Sequence, residues 1–453
     1  MTHAVVVVDL GFGDSGKGLV TDSLVRSHAA HTVVRFNGGA QAGHNVVTPD
    51  GRHHTFAQIG SGAFVEGVHT HLSRHVVVHP TALLVEAARL ESVGVSNVLS
   101  RFSVSPEALV ITPMHQAAGR LRELARGNLR HGSCGVGVGE TVRDALRTGD
   151  DALRMLHLRQ PLRRRLGRLQ ERLRGELDEV LRQVQGVACA EAEQRVLEDP
   201  GVADRWLDAL RPLHGLAIDD GVLETRLRTT GAVVFEGAHG VLLDEWRGFH
   251  PHTTWSTCTP QPALDLLSEH GFKGTVTRLG VLRTYATRHG PGPFPTEQSE
   301  LARSLPEAHN GQGPWQGAMR AGPLDLVLAR YALQVSGSVD LLAVTHLDAL
   351  ERFQCWSMCQ AYRAAESHTD LFELRDGLAA AIRLGPPQDL LHQEALTVAL
   401  GSVVPVYEVR HNVDAGAYVE WLEEALGVPV GLAAYGPTAR HVLWCGGRAN
   451  PVT

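Results

Sequence analysis

An uninterrupted apolar run near the N-terminus leads directly into a glycine-rich loop. Ala4–Val8 is apolar at every position, which is typical of a strand buried on both faces of a parallel sheet. The loop Gly11–Gly18 follows with the Gly-x-x-x-x-Gly-Lys spacing of a phosphate-binding loop, and a helical pattern continues to about Ser27. A strand, a glycine loop and a helix in this order predict an α/β protein that binds an anion at the start of the helix.

Further strand candidates alternate with helical periodicity along the rest of the chain. Such alternation usually produces a mainly parallel central sheet, so we predict an α/β fold whose phosphate-binding glycine loops follow its strands. The additional candidate strands are Thr32–Phe36, Val76–Val78, Ala232–Phe235, Thr275–Leu282, Leu341–Thr345, Val403–Val409 and His441–Trp444.

One long segment, from Asp150 to about Asp208, has a different composition. It is rich in Leu, Arg and Glu, with leucines at helical spacing, which predicts amphipathic helices with a solvated face rather than a nucleic-acid site. The glycine- and proline-rich stretch Ala286–Gly322 is predicted to be a long loop. We divide the chain into an α/β core with the nucleotide loops at 1–150, an inserted helical subdomain at 151–215 and a continuation of the core at 216–453.

Charge, hydropathy and cysteine spacing exclude several classes of protein. The formal charge of −7 argues against a protein that wraps nucleic acid, because that function needs a dense basic surface. No apolar run approaches the roughly 20 residues needed to cross a bilayer. Cys355 and Cys359 have no second pair at zinc-site spacing, and the other four cysteines are scattered. We expect a cytoplasmic protein with free thiols, without membrane or nucleic-acid partners.

A second glycine loop, Asn37–Asn45, follows the second predicted strand. Ligands of open α/β sheets bind at the carboxyl ends of the strands, so both loops should face one crevice. His44 in this loop could donate a hydrogen bond to an oxyanion or a phosphoryl oxygen there. In the first loop, Gly18 occupies the place where a Ser or Thr usually holds Mg²⁺, so Asp14 is the candidate magnesium ligand.

The two loops resemble those of the adenylosuccinate synthetase family, ligases that join aspartate to carbon 6 of IMP using GTP. The resemblance continues in chain order over nearly the whole sequence. It is carried further by Gly132–Gly139, Phe235–Asp244, Val344–Asp348 and Tyr435–Arg440. It implies that residues 216–453 contain an amino-acid-binding loop and the segments that recognise the donor base. The implied partners are a purine nucleoside monophosphate, L-aspartate and a second copy of the chain.

The resemblance also implies a role for individual residues. Asp14 would take the N1 proton of the purine and contact Mg²⁺, together with the Gly43 carbonyl. His44 would stabilise the 6-oxygen while it attacks the γ-phosphate, and Lys17 would neutralise phosphate charge. Contacts to GTP, or to ATP, fall to Gly13, Asp14, Ser15, Gly16, Lys17, Gly18, Gly43, His44, Asn45, His346, Asp348, Tyr435, Gly436 and Pro437. Contacts to the other substrates fall to Gln41, Cys134, Arg147, His239, Thr254, Gln316, Gly317 and Arg320, of which Arg147 is nearest to an arginine that family members borrow from the neighbouring subunit.

The chain departs from the family pattern at several of these positions. Ser15 replaces a glutamate, which leaves space near purine carbon 2. Arg320 alone remains of an arginine-rich run, although two carboxylates usually require several guanidinium groups. His346 replaces the lysine of the guanine-recognition segment, and His239 replaces a glutamine, while Cys134 stands where threonine is usual.

These departures leave four functions to be separated. IMP as acceptor and GTP as donor is the expected pair. The departures also resemble the viral-type aminoadenylosuccinate synthetases, which join aspartate to dGMP and can use adenine nucleotides as donor. A non-catalytic nucleotide-binding paralogue is opposed by the retention of Asp14, Lys17, Gly43 and His44. An ordinary phosphate-loop NTPase is opposed by the absence of Ser or Thr after Lys17.

Overall fold

The computed structural model describes residues 2–127, 130–305, 315, 317–353 and 355–445. The strands are β1 Thr2–Asp9, β2 Thr32–Arg35, β3 His44–Val47, β4 His53–Phe56, β5 His69–Leu72, β6 Val77–Val78, β7 Phe102–Val104, β8 Leu109–Val110, β9 Ala217–Ile218, β10 Gly231–Glu236, β11 Thr275–Arg283, β12 Tyr285–His289, β13 Met319–Asp325, β14 Leu341–Thr345, β15 Cys355–Arg363, β16 Phe372–Arg375, β17 Leu378–Ile382, β18 Val404–His411, β19 Val430–Ala434 and β20 Val442–Trp444. The helices are α1 Lys17–Ser27, α2 Pro80–Ser92, α3 Pro113–Ala125, α4 Val138–Thr148, α5 Arg163–Glu176, α6 Asp178–Gln183, α7 Ala188–Glu198, α8 Val202–Ala209, α9 Gly221–Arg228, α10 Gln261–Glu269, α11 Ser299–Ser304, α12 Leu326–Val335, α13 Leu390–Leu400 and α14 Ala415–Leu426.

The central sheet has ten strands in the order β20-β19-β14-β11-β1-β10-β2-β5-β7-β9. Neighbouring strands are parallel except at the β19–β20 edge. The apolar run of β1 explains its central place, because Val6 packs into a hydrophobic cluster on one face while Val5 and Val7 pack on the other. The predicted α/β fold class with a mainly parallel sheet is confirmed.

This topology collects the functional loops at one edge of the sheet. Strands β19, β14, β11, β1, β10 and β2 are adjacent and parallel, so their carboxyl ends open on the same side. The two glycine loops follow β1 and β2, and the segment beginning at Gly237 follows β10 between them. His346 follows β14, and Tyr435 follows β19.

A second sheet lies outside the central one, in the order β12-β13-β15-β17-β16 with β18 paired to β15. The predicted strand Val403–Val409 belongs to this sheet as β18. The predicted long loop Ala286–Gly322 is wrong at both ends, because β12 and β13 pair antiparallel, from Tyr285–Pro323 to His289–Met319. The glycines and prolines directly after β12 favour a loop and obscured the strand pattern in the sequence. The helix α11 lies between the two strands.

The leucine-rich segment forms helices α5 to α8, as its periodicity predicted. Leu166, Leu169 and Leu173 are buried along α5, in a hydrophobic cluster that contains residues between Val46 and Ile218. This cluster includes residues from both sides of position 150, and the domain borders at 150 and 215 stay a prediction. Over the described residues, the helices are too short or too polar to cross a membrane.

Candidate functional site

The loop between β1 and α1 is organised around the buried carboxylate of Asp9. The backbone N–H groups of Gly11 and Ser15 donate to it at 2.9 and 3.0 Å, and the Ser15 hydroxyl donates to Oδ1 at 2.8 Å. Lys17 Nζ lies 2.8 Å from Oδ2. Burial raises the pKa of Asp9, but the Lys17 ammonium and these hydrogen bonds outweigh it, so the pKa is lowered overall. Sequence reasoning gave Asp9 no role, although a carboxylate at the end of a buried strand is an unusual feature.

Close backbone contacts lock the three loops together. A side-chain carbon at Gly240 would overlap the Gly11 carbonyl oxygen, and one at Gly18 would lie 2.7 Å from the Asn45 carbonyl oxygen. Only glycine permits such an approach. The loops after β1, β2 and β10 are therefore closely packed against one another, and the first turn of α1 packs against β3.

Asp14, in the middle of the loop Gly11–Gly18, has a left-handed backbone conformation with φ of 59°. Such a conformation is uncommon for a residue with a side chain and often marks a functional position. The Arg283 Nε donates to the Asp14 carbonyl oxygen at 2.6 Å, and His289 Nε2 lies 3.6 Å from Asp14 Oδ2. Burial raises the pKa of Asp14, and the charges of Arg283, His289 and Lys17 offset only part of this rise. A raised carboxylate pKa suits a general base.

His44 is held by Glu236, which ends β10. His44 Nδ1 lies 2.6 Å from Glu236 Oε1, so the ring carries its proton on Nδ1 and donates it to the carboxylate. The Ser61 N–H donates to Oε2 at 3.0 Å, the Ser61 hydroxyl donates to Oε1, and Arg35 Nη1 lies 3.7 Å from Oε2. Among the described residues, the buried His44 Nε2 has no hydrogen-bond partner. Glu236, Ser61 and Arg35 escaped sequence reasoning because they come from separate strands and loops.

The pKa values of both members of this pair lie below the ordinary values of the free groups. Burial lowers the pKa of His44 to about 4, reinforced by Arg35 and opposed by Glu236. Burial raises the pKa of Glu236, but Arg35 and His44 reverse this and bring the pKa to about 2. His44 is therefore neutral and Glu236 ionised near pH 7 in the unliganded chain.

His239 and Gln41 meet between the two glycine loops. The Gln41 amide nitrogen lies 2.9 Å from His239 Nε2, and His239 has a left-handed backbone with φ of 60°. Burial lowers the pKa of His239 to about 3, and the nearby charge of Lys17 adds to this effect. Thr254 is tied to the same segment through its N–H, which donates to the Leu243 carbonyl at 2.8 Å. Burial raises the pKa of Cys134 to about 11, so its thiol stays protonated.

The predicted donor-base residues lie at the ends of β14 and β19. His346 has a φ of 60°, and its ring meets that of Tyr285 edge-on at 5.6 Å. The Thr345 hydroxyl donates to the Ser15 carbonyl at 2.8 Å, which links this strand to the phosphate loop. Asp348 is exposed. Tyr435, Gly436 and Pro437 form the turn after β19, where Tyr435 N–H donates to the His441 carbonyl at 2.9 Å.

Several predicted contact residues are engaged within the chain itself. Arg147 pairs with Asp144 at 3.1 Å and with Glu176. Arg320 donates to the carbonyls of Gly290 and Gly292 at 2.8 and 3.0 Å and pairs with Glu297 at 2.9 Å. The Asn45 side chain accepts from the Thr55 hydroxyl at 2.7 Å. Gly317 adopts a φ of 79° near Gly290, and Gln316 lies outside the described residues.

The predicted magnesium ligands are oxygen atoms, the Asp14 carboxylate and the Gly43 backbone carbonyl. Mg²⁺ prefers such donors and is usually bound by one or two carboxylates together with substrate phosphates. Within the described part of the chain, no group of three or more His, Cys, Asp or Glu is placed to hold a metal by itself. The donor set therefore fits a magnesium ion that is shared with a bound nucleotide.

The fold and these loops define an α/β enzyme with a candidate base in its phosphate-binding loop and an imidazole on the second glycine loop. The family model described as adenylosuccinate synthetase matches residues 6–443, and the chain belongs to that family. An adenylosuccinate synthetase from Alkalilimnicola ehrlichii is 32% identical over 449 residues, which is 98% of each chain.

Two solved structures share the fold. The fully ligated adenylosuccinate synthetase from Plasmodium falciparum has a TM-score of 0.76 at 22% identity, covering 98% of this chain and 99% of that one. The succinoaminodeoxyadenylate synthetase of cyanophage S-2L, bound to dGMP and to dATP as an energy donor, has a TM-score of 0.59 at 18% identity, covering 98% and 95%. The predicted family and the predicted class, a ligase that forms a carbon–nitrogen bond, are confirmed.

Proposed function

We propose that this chain joins L-aspartate to carbon 6 of IMP, with hydrolysis of GTP to GDP and phosphate through a 6-phosphoryl intermediate. Membership in the family supports the reaction. The observation that carries it is the joint presence of a base and an imidazole on neighbouring loops. Asp14 follows β1 and His44 follows β2, while β10 between them supplies the Glu236 that orients His44.

In the first step, Asp14 takes the N1 proton of the purine, and the charge that develops on the 6-oxygen drives its attack on the γ-phosphorus. The bond from the γ-phosphorus to the bridging oxygen breaks, and GDP leaves with its electrons. His44 Nε2 is the atom available to this oxygen, because Nδ1 is committed to Glu236. To donate from Nε2, the ring must carry two protons. An anion at Nε2 and the Glu236 carboxylate at Nδ1 together favour that imidazolium, whose pKa is otherwise held near 4 by burial.

In the second step, the aspartate amine attacks carbon 6, the bond from carbon 6 to the phosphorylated oxygen breaks, and phosphate leaves with the bonding electrons. Transfer of this kind depends mainly on positioning and charge neutralisation. Lys17 and the loop N–H groups supply part of it. Bound Mg²⁺, held through Asp14 and Gly43, would supply further neutralisation at the donor phosphates.

A second candidate acceptor is dGMP or GMP, with ATP or dATP as well as GTP as donor. The Ser15 hydroxyl is directed to Asp9, so no bulky acidic side chain competes for the space around a purine 2-amino group. His346 replaces the lysine expected for guanine recognition, which weakens selection of GTP. A non-catalytic nucleotide-binding role is opposed by the intact Asp14–Lys17–His44 set.

A phosphate-release screen tests these functions together. Purified chain is given IMP, GMP, dGMP or XMP, each with GTP or ATP and Mg²⁺, with and without aspartate, and the Asp14→Asn variant serves as the inactive control. Aspartate-dependent release with IMP and GTP, with formation of the succinylated product, supports the main proposal. Release with dGMP and not with IMP would replace it by the second candidate, and no aspartate-dependent release with any pair would refute both.

We also propose that the chain forms a homodimer, as family members do. Arg147 would have to exchange its pairs with Asp144 and Glu176 to reach a neighbouring site. Light scattering after gel filtration measures the mass directly, and a mass near 49 kDa at all concentrations would refute the dimer.

A further inference from the structure

Asp9 and Lys17 bury opposite charges side by side beneath the phosphate loop. Asp9 is 1% exposed and Lys17 is 3% exposed. A buried charge is costly unless it is paired and hydrogen-bonded. Each charge therefore offsets the cost of burying the other. Among the described residues, Lys17 forms its ion pair with Asp9.

The geometry also prepares the lysine for a phosphate donor. An ammonium group has three N–H donors, and the contact at 2.8 Å to Asp9 Oδ2 fixes the direction of one of them. The other two N–H groups of the ammonium therefore have a defined direction before the nucleotide binds. Preorganisation of this kind lowers the cost of binding.

Ser15 completes the same arrangement. Its hydroxyl donates to Asp9 Oδ1 at 2.8 Å, and the residue is 5% exposed. An acidic side chain at position 15 that followed this direction would press a second negative charge against Asp9, and two carboxylates in one buried site cannot both ionise easily. The buried site under the loop therefore favours a single ionised carboxylate.

We propose that Asp9 is a positioning residue for the phosphate donor, and that Asp9 and Ser15 form one coupled unit that supplies a single carboxylate to Lys17. The inference rests on the proposed function, because Lys17 is taken to contact the donor phosphates. It assigns Asp9 no contact with substrate. Asp9 acts through the lysine and through the fold of the loop.

A double-mutant cycle tests the coupling. Ser15→Glu should lower kcat/KM for the phosphate donor by about 10²-fold, since it crowds two buried carboxylates, whereas the matched neutral variant Ser15→Gln should lose less than about tenfold. Asp9→Ser should also lose activity. The double variant, Asp9→Ser with Ser15→Glu, should recover at least about tenfold over Ser15→Glu, because one carboxylate again faces Lys17. A coupling of this size is within the range measured for residues in contact.

A second measurement separates positioning from simple stabilisation. Asp9→Asn keeps the shape of the side chain and removes its charge. We expect it to raise KM for the donor about tenfold or more while KM for aspartate changes less than about twofold. Equal changes in both constants, or losses in the double variant that equal the product of the single losses, would overturn the proposal.

Binding of a fluorescent GTP analogue is measured for every variant, together with the melting temperature. This readout does not depend on ligase turnover. A wild-type chain without ligase activity but with the coupled pattern in nucleotide binding would refute only the proposed function. Ligase activity without coupling in either readout would refute only the role of Asp9. If the double variant fails to fold, Asp9→Asn is measured in the wild-type and Ser15→Ala backgrounds, where a smaller loss in the Ser15→Ala background supports the coupling and equal losses would overturn it.

Discussion

Glu236 positions His44, and replacing it by glutamine should separate that role from simple packing. The glutamine side chain has the same shape, and its oxygen can still accept the His44 Nδ1 proton. Its amide nitrogen, however, faces the Ser61 N–H, which now donates to Oε2 at 3.0 Å. The substitution also removes the counter-charge of Arg35, which is 2% exposed.

The magnitude follows from these contacts. Removing one partner of a buried ion pair costs about 3–5 kcal/mol of stability, and the 3.7 Å separation of Arg35 and Glu236 places the cost near the lower end, about 3 kcal/mol. Catalysis should suffer separately. Without the carboxylate, the pKa of His44 falls further below its ordinary value, because Glu236 is the group that raises it. The loss of a donor to the 6-oxygen should cost about 10²–10³-fold in kcat.

Urea unfolding measures the stability and phosphate release measures turnover. Ser61→Ala is the control, because it removes one hydrogen bond to Glu236 and leaves the charge, and it should cost about 1 kcal/mol with a small loss of kcat. The decisive comparison uses a His44→Asn background. If Glu236 acts through His44, Glu236→Gln should have little further effect on kcat there. An undiminished loss in that background would refute the reasoning.

Further predictions concern the base, the donor, acid stability and loop packing. Asp14→Asn should lose about 10²–10⁴-fold in turnover with an unchanged melting temperature, and retention of a tenth of the wild-type rate would contradict its role. Because His346 weakens guanine recognition, the kcat/KM preference for GTP over ATP should stay below about 10³-fold. Burial lowers the pKa of His71 to about 3, so below about pH 6.5 the unfolded chain protonates this histidine while the folded chain does not, and the free energy of unfolding falls as the pH falls. Between pH 7 and pH 5 the His71→Asn variant should therefore lose about 2 kcal/mol less stability than the wild type in urea unfolding. An equal loss in both would show that His71 does not cause the effect. Gly240→Ala should abolish binding of the fluorescent nucleotide through its overlap with the phosphate loop, whereas Gly167→Ala, with open space around it, should bind normally.

The sequence predicted the central part of the sheet well because its signals are local. The valine run of β1 and both glycine loops need no knowledge of their partners. The strands at one side of the sheet were not predicted, since His69–Leu72 contains two histidines and looks polar. In the structure, His69 Nε2 and His71 Nδ1 both bond the Ser103 hydroxyl, at 2.7 and 2.9 Å. This pairing satisfies buried polar groups through a residue more than 30 positions away, which no local pattern indicates.

The same limit applies to the site. Asp14 and His44 were predicted because they lie within recognisable loops. Asp9 and Glu236 were not given roles. Each carboxylate acts on a side chain from another part of the chain, Lys17 and His44 respectively, and only the folded sheet brings these groups together. The role of Arg320 as a substrate contact stays a prediction, and its bonds to the Gly290 and Gly292 carbonyls give it a structural role that spacing could not indicate.

Because β1 pairs with strands that come much later in the chain, it cannot be incorporated into the sheet early in synthesis. Its two neighbours begin at Gly231 and Thr275, so the emerging chain carries β1 and its loop without partners until more than half of it has left the ribosome. The hydrophobic cluster between Val46 and Ile218 can form earlier, because all its members lie in one continuous stretch of the chain. A purified fragment that ends near residue 220 should therefore resist protease in that stretch and be cut at Gly11–Gly18. Nucleotide binding is then the last property that the growing chain acquires.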